Sequence, residues 1–195
     1  MCEWKNLSED PIHRWERMSS NQLEELNRPG PTGDIEGHSD TFFMIASNYK
    51  EGDEGPEIAV ATLKSPLFKR SEHPKECFAF WFYFGQKGNG EKLSIILENG
   101  QGDVIGEIWR LHDKFSTDDI WMYGTVPIQP QAVEMYSVLM IAEKGDNNKS
   151  FVALDEFEFI ETENCNLNPP EADPDAKTTP QPTEPPGRKE IFFIF

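Results

Sequence analysis

Apolar residues occur along this chain in short runs, each closed by Gly, Pro or Asn. Runs of that length, rich in aromatic and β-branched side chains, predict strands over Thr41–Ala46, Glu57–Leu63, Cys77–Phe84, Lys92–Glu98, Val104–Arg110, Val133–Glu143 and Phe151–Glu161. Several alternate as a sheet with one wet face does. In the last run Phe157 and Phe159 point one way, and Glu156, Glu158 and Ile160 the other. A helical period appears only weakly, in Ser19–Asn27. Strands in this number and spacing, with turn residues between them, predict an all-β fold: a two-layer antiparallel β-sandwich of jelly-roll type.

The stretch ECFAFWFYFGQKGNGEKLSIILENG, Glu76–Gly100, is the densest of these patterns. Alternation places Phe78, Phe80, Phe82 and Phe84 on one face of its first strand and Ala79, Trp81 and Tyr83 on the other, so the phenylalanines are expected to fill the space between the sheets. After Cys165 the texture changes to Pro, Thr and acid with no apolar face. Residues 167–195 are therefore expected to form a linker with a short apolar tail, without order from about Asn168 to Glu190. The tail Ile191–Phe195 fits the stub of a membrane span, a strand edge or translated non-coding sequence equally well.

A chain of 195 residues is of one-domain size and long enough to bury a core. With 35 acidic against 18 basic residues the formal charge is -17, which repels a phosphate backbone over most of the surface and argues against nucleic acid as a partner. The start, MCEWKNLSED, has neither the basic nor the apolar region of an export signal. Cys2, Cys77 and Cys165 are widely spaced with no CxxC, which leaves a disulfide or plain buried thiols. Asn6 (NLS) and Asn148 (NKS) lie in glycosylation sequons on polar, loop-like stretches.

Catalytic patterns are weak. Asp34, His38 and Ser39 form the nearest approach to a nucleophile with its base, in a Gly-rich loop, and no GxSxG or HExxH is present. His13, His38, His73 and His112 are scattered and read as solvated loop residues. Asp118 and Asp119 are adjacent, so on a strand they point to opposite faces and do not pair for glycoside hydrolysis. The chain is expected not to be an enzyme.

The ordered motifs Cys2-x-Trp4, HRWERMS around Trp15, GPTGDIEGHSDTFFMIAS, ATLKSPLF, the aromatic strand with GNGEKLSI, Trp109, Trp121 and FVALDEFEFIETENC resemble a MAM domain, the extracellular module named after meprin, a neuronal antigen and a receptor tyrosine phosphatase. The resemblance covers about residues 2–165, and the domain is expected over 1–166. It implies a jelly-roll sandwich that serves adhesion, dimerisation or partner binding, with catalysis left to neighbouring domains. It also implies a disulfide between Cys77 and Cys165. Cys2 then corresponds to the second cysteine of the family's N-terminal pair, so it is expected to be unpaired here, with the first strand incomplete. Asp34 and Asp155 correspond to acidic positions of the family, suggesting a structural calcium or sodium ion, although Ile35 and Glu36 stand where the family has His-Thr. No other cofactor is implied. The expected function is a non-catalytic interaction module of a larger secreted or cell-surface protein, with a like or unlike extracellular protein as partner and membrane contact only through other parts of the parent. The alternative is a carbohydrate-binding jelly roll in which an open Trp109 or Trp121 stacks on a sugar; buried indoles would favour the scaffold reading.

Overall fold

The computed structural model describes residues 3–8, 14–47, 60–70, 76–85, 90–115, 120–129, 133–143, 145, 150–162 and 164–176. Two antiparallel sheets pack face to face, and the expected all-β jelly-roll class holds. Sheet A contains β1 (Lys5–Asn6), β4 (Val60–Lys64), β10 (Met135–Glu143), β7 (Lys92–Asn99) and β8 (Val104–His112) in that order, with β5 (Phe68–Lys69) also pairing to β10. Sheet B runs β2 (Trp15–Ser19), β3 (Phe42–Ser47), β11 (Phe151–Glu161), β6 (Glu76–Phe84), β9 (Met122–Ile128).

The core lies where alternation places it. Phe78, Phe80, Phe82 and Phe84 all point between the sheets and are buried. Leu93, Ile95 and Leu97 of β7 and Val138 and Met140 of β10 meet them from sheet A. Trp109 stands edge-on to Phe80 and Phe82 at 5.1 and 5.2 Å between ring centroids, a geometry the ring quadrupoles favour. Cys77 and Cys165 are joined, with Cα atoms 5.5 Å apart, so the end of the last strand is tied to the head of the aromatic one.

Four strands escape the apolar pattern, and β9 shows why. Its sequence MYGTVPI carries Gly124 and Pro127, which ordinarily interrupt a strand. Pro127 is tolerated because β9 is the edge of sheet B. Gly124 sits opposite Phe80, where a Cβ would come within 2.6 Å of the phenyl ring, so the missing side chain makes room for the core. The helical period is realised as α1 (Ser20–Glu25). Ser19 caps it: the Ser19 hydroxyl accepts from Gln22 N–H and the Gln22 side chain accepts from Ser19 N–H.

The stretch after Cys165 differs from expectation in its first part. Asn168 bridges to Thr125 of β9 through two backbone hydrogen bonds of 2.9 and 3.1 Å, and its carbonyl accepts from Trp109 Nε1 at 2.9 Å. Arg110 donates to the Pro174 carbonyl, and Ala172 is fully buried. Residues 167–176 therefore clasp the β8 and β9 edges of the two sheets. The physical reason is the unpaired edge of β9, whose N–H and C=O groups need partners that an extended Pro-rich segment can supply without helix or sheet of its own. The rest of the expected linker, residues 177–195, lies outside the described residues.

Candidate functional site

The outer face of sheet B, turned away from the core, divides into two rows. Cross-strand register aligns Tyr83, Ala153 and Ile45 in one row, and Tyr123, Trp81 and Asp155 in the next. The first row is covered. Leu23 of α1 and the ring of Trp121 close over Phe43, Ile45, Tyr83 and Phe151, forming a second apolar cluster behind the sheet. Trp121 meets Phe43 and Tyr83 edge-on at 5.7 and 5.5 Å. The second row is open at one end: Tyr123 is 39% exposed, Trp81 is half-buried, and their rings lie 5.1 Å apart.

Asp155 closes that row on the acidic side. It is buried, at a bulge where the register with β6 shifts and Glu156 takes a left-handed φ of 41°. Beside it stands Asp34, in the loop between α1 and β3. Asp34 Oδ1 accepts from the backbone N–H of Glu36 and His38 at 2.9 and 2.8 Å, and Oδ2 accepts from the Thr41 hydroxyl. Burial alone would raise the Asp34 pKa, but the bonds from Thr41, His38 and Glu36 outweigh it and hold the carboxyl below its ordinary range. Asp155 goes the other way. Burial pushes it up, and the charges of Asp34 and Glu156 add to this against N–H donors from Glu156 and Ile35.

Thus the structure brings Asp34 and Asp155 together as oxygen donors. Carboxylate oxygens are the donors hard cations take, and both Asp34 oxygens here already accept hydrogen bonds from Glu36, His38 and Thr41. Glu36 and His38 sit in the same loop, with His38 Nδ1 3.3 Å from Glu36 Oε2 and 3.8 Å from Asp34 Oδ2, both exposed. Ser39 contributes its carbonyl to Asn21 N–H. Asn6 is exposed on β1, its amide donating to the Trp15 carbonyl at 2.9 Å. Cys2, Asn148, His13, His73, Asp118 and Asp119 lie outside the described residues.

The tryptophans named as sugar platforms are otherwise engaged. Trp109 is fully buried with its indole N–H on Asn168, and Trp121 donates to the Gly33 carbonyl at 2.9 Å. The Trp81–Tyr123 pair is what sequence reading missed as a surface feature. Alternation did place Trp81 off the core face, but the partner strand β9 was not predicted.

A match to the MAM domain family (meprin/A5/mu) extends over residues 1–166. The chain belongs to the MAM family. This MAM domain is also similar in fold to distant solved structures. An adhesin domain of Lys-gingipain from Porphyromonas gingivalis aligns with a TM-score of 0.55 at 15% identity, over 82% of this chain and 90% of that one. A carbohydrate-binding module solved with β-1,4-galactotriose aligns with a TM-score of 0.51 at 9% identity, over 82% and 88%. A carbohydrate-binding module of the β-sandwich superfamily, described as promiscuous in specificity, aligns with a TM-score of 0.50 at 7% identity, over 81% and 56%. At these identities the likeness is one of fold.

Proposed function

We propose that this MAM domain is a non-catalytic extracellular protein-interaction module of a larger secreted or cell-surface protein, and that it meets a protein partner, like or unlike, through the open aromatic row at Trp81 and Tyr123. The observation that supports this is the contrast among the indoles. Those of Trp15, Trp109 and Trp121 donate to backbone carbonyls within the domain, whereas Trp81 and Tyr123 form a surface pair on a rigid sheet. Rings of this type, held by a sheet and half desolvated, are what protein interfaces concentrate. The disulfide agrees with an oxidising compartment. A tetramer of the chain should bind cells bearing the partner, and removal of surface proteins by protease should abolish that binding.

A carbohydrate-binding function is the second reading, supported by the fold likeness to carbohydrate-binding modules and by the same open pair, since either ring could stack on a sugar. On the opposite outward side, that of sheet A, Ser94, Glu98 and Ser137 are buried and Lys64, Ile96 and Ile141 half-buried, and none of these positions supplies a stacking ring. Binding that survives protease and yields to free oligosaccharide would establish this reading over the first.

Asp34 and Asp155 form our proposed calcium or sodium site, pinning the α1–β3 loop beside the aromatic row. In EDTA, Asp155→Asn is expected to be neutral or stabilising, because charge at this position is opposed by burial; in calcium the wild-type chain should gain more thermal stability than the variant does. Asn6 and Asn148 are proposed glycosylation sites, checked by a gel shift on glycosidase treatment of material from a secretory host.

A further inference from the structure

A second pair of carboxylates lies at one end of the sandwich, apart from the Asp34–Asp155 corner. Glu91 directly precedes β7, Asp113 directly follows β8, and Ser150 directly precedes β11. The first two belong to sheet A and the third leads into sheet B, so the group spans the two layers. All three are inaccessible: Glu91 and Ser150 are 0% exposed and Asp113 2%.

Their hydrogen bonding is unequal. Asp113 Oδ2 accepts from Gly90 N–H at 2.9 Å, and Asp113 N–H donates to the Glu91 carbonyl at 2.9 Å, which fixes the two residues side by side. Ser150 Oγ accepts from Gly145 N–H at 2.8 Å, leaving its own proton free to donate. The Glu91 carboxyl interacts with Asp113 and Ser150, yet among the described residues neither of its oxygens has a hydrogen bond of acceptable geometry. A fully buried carboxylate left in this state, with a second acid against it, is among the most costly arrangements a core can hold. The nearby described lysines do not neutralise it. Lys92 is ion-paired to Glu143, and Lys114 lies 4.9 Å over the ring of Phe115.

Two carboxylates and a hydroxyl, all oxygen, are the donor chemistry of hard divalent cations. We propose that Glu91, Asp113 and Ser150 bind a calcium-type divalent cation that ties the two sheets together at this end of the sandwich. Burial, and then the acid beside it, push Glu91 up to about 8, so a proton is the competitor that such a cation displaces. The site is independent of the Asp34–Asp155 corner and of the partner reading above.

The test uses the full chain carrying Asp155→Asn, which removes the other candidate site from the readout. Calorimetric melting at pH 7.4 is followed as calcium is added after EDTA. At free calcium a hundredfold above Kd the melting temperature should rise by about 5 to 10 °C. Adding Glu91→Gln or Asp113→Asn should remove that rise; the asparagine retains an acceptor for Gly90 N–H, so a folded variant is available if the glutamine one fails to fold. No rise in the Asp155→Asn chain would overturn the proposal, and with Glu91→Gln melting higher in EDTA it would assign the pair to a shared proton. A rise that persists in both added variants would overturn it equally, by placing the cation elsewhere.

Discussion

The two rows on the outer face of sheet B share strands β6 and β11, two residues apart along each, yet one is core and the other surface. Tyr83 is buried against Phe151 and Trp121, while Trp81 is half-buried against an exposed Tyr123. Intrinsic preference does not separate them, since both rows are led by a large aromatic ring. What separates them is cover: α1 brings Leu23, and the α1–β3 loop receives the Trp121 indole at Gly33. A sheet face becomes available for recognition where the covering elements stop, and here they stop between Tyr83 and Trp81.

Loss of the Cys77–Cys165 bridge should cost the most, because it acts on the scaffold beneath both rows. With the cysteines 88 positions apart in sequence, chain entropy gives about 4 to 5 kcal/mol, read by urea denaturation of Cys77→Ser/Cys165→Ser. Leu23→Ala empties a site that is 2% exposed and should cost about 2 to 5 kcal/mol, with hydrogen-exchange protection lost around Tyr83 and unchanged around Phe80. Ser19→Ala removes the helix cap and should cost about 1 kcal/mol, loosening the covered row without touching the open one. Trp81→Ala and Tyr123→Ala should each change stability by no more than about 1 kcal/mol, the smallest effect, since these rings already face water in part. An equal loss at Trp81 and Leu23 would erase the distinction between the rows.

Much of this division was legible in the sequence, and its limits have physical causes. The period-2 pattern of Phe78–Phe84 located the core face, and the resemblance of the flanking motifs supplied the disulfide partner. Neither could show that the other face is half covered, because cover depends on where a six-residue helix lands. β9 was hidden by Gly124 and Pro127, whose roles follow from contact with Phe80 and from edge position. The clasp at 167–176 was hidden because Pro-rich composition describes what a segment cannot do alone, while Asn168 finds its partners on β9 and Trp109. Asp34 and Asp155 were both identified through their family positions, and the structure adds that the two carboxyls are close enough for the charge of one to act on the other. Glu91 and Asp113 sit in separate polar turns, and nothing in either turn announces that they meet.

The central claim is that the open row recognises a protein. Its most direct test is binding of tetramerised full chain to partner-bearing cells, comparing wild type with the Trp81→Ala/Tyr123→Ala double variant, with and without surface proteolysis and with free galacto-oligosaccharide as competitor. The account predicts binding that is lost on proteolysis, indifferent to the sugar, and at least about tenfold weaker in the variant, as hot-spot rings give. Binding that the variant retains in full would contradict it, as would binding that survives proteolysis and is displaced by the sugar.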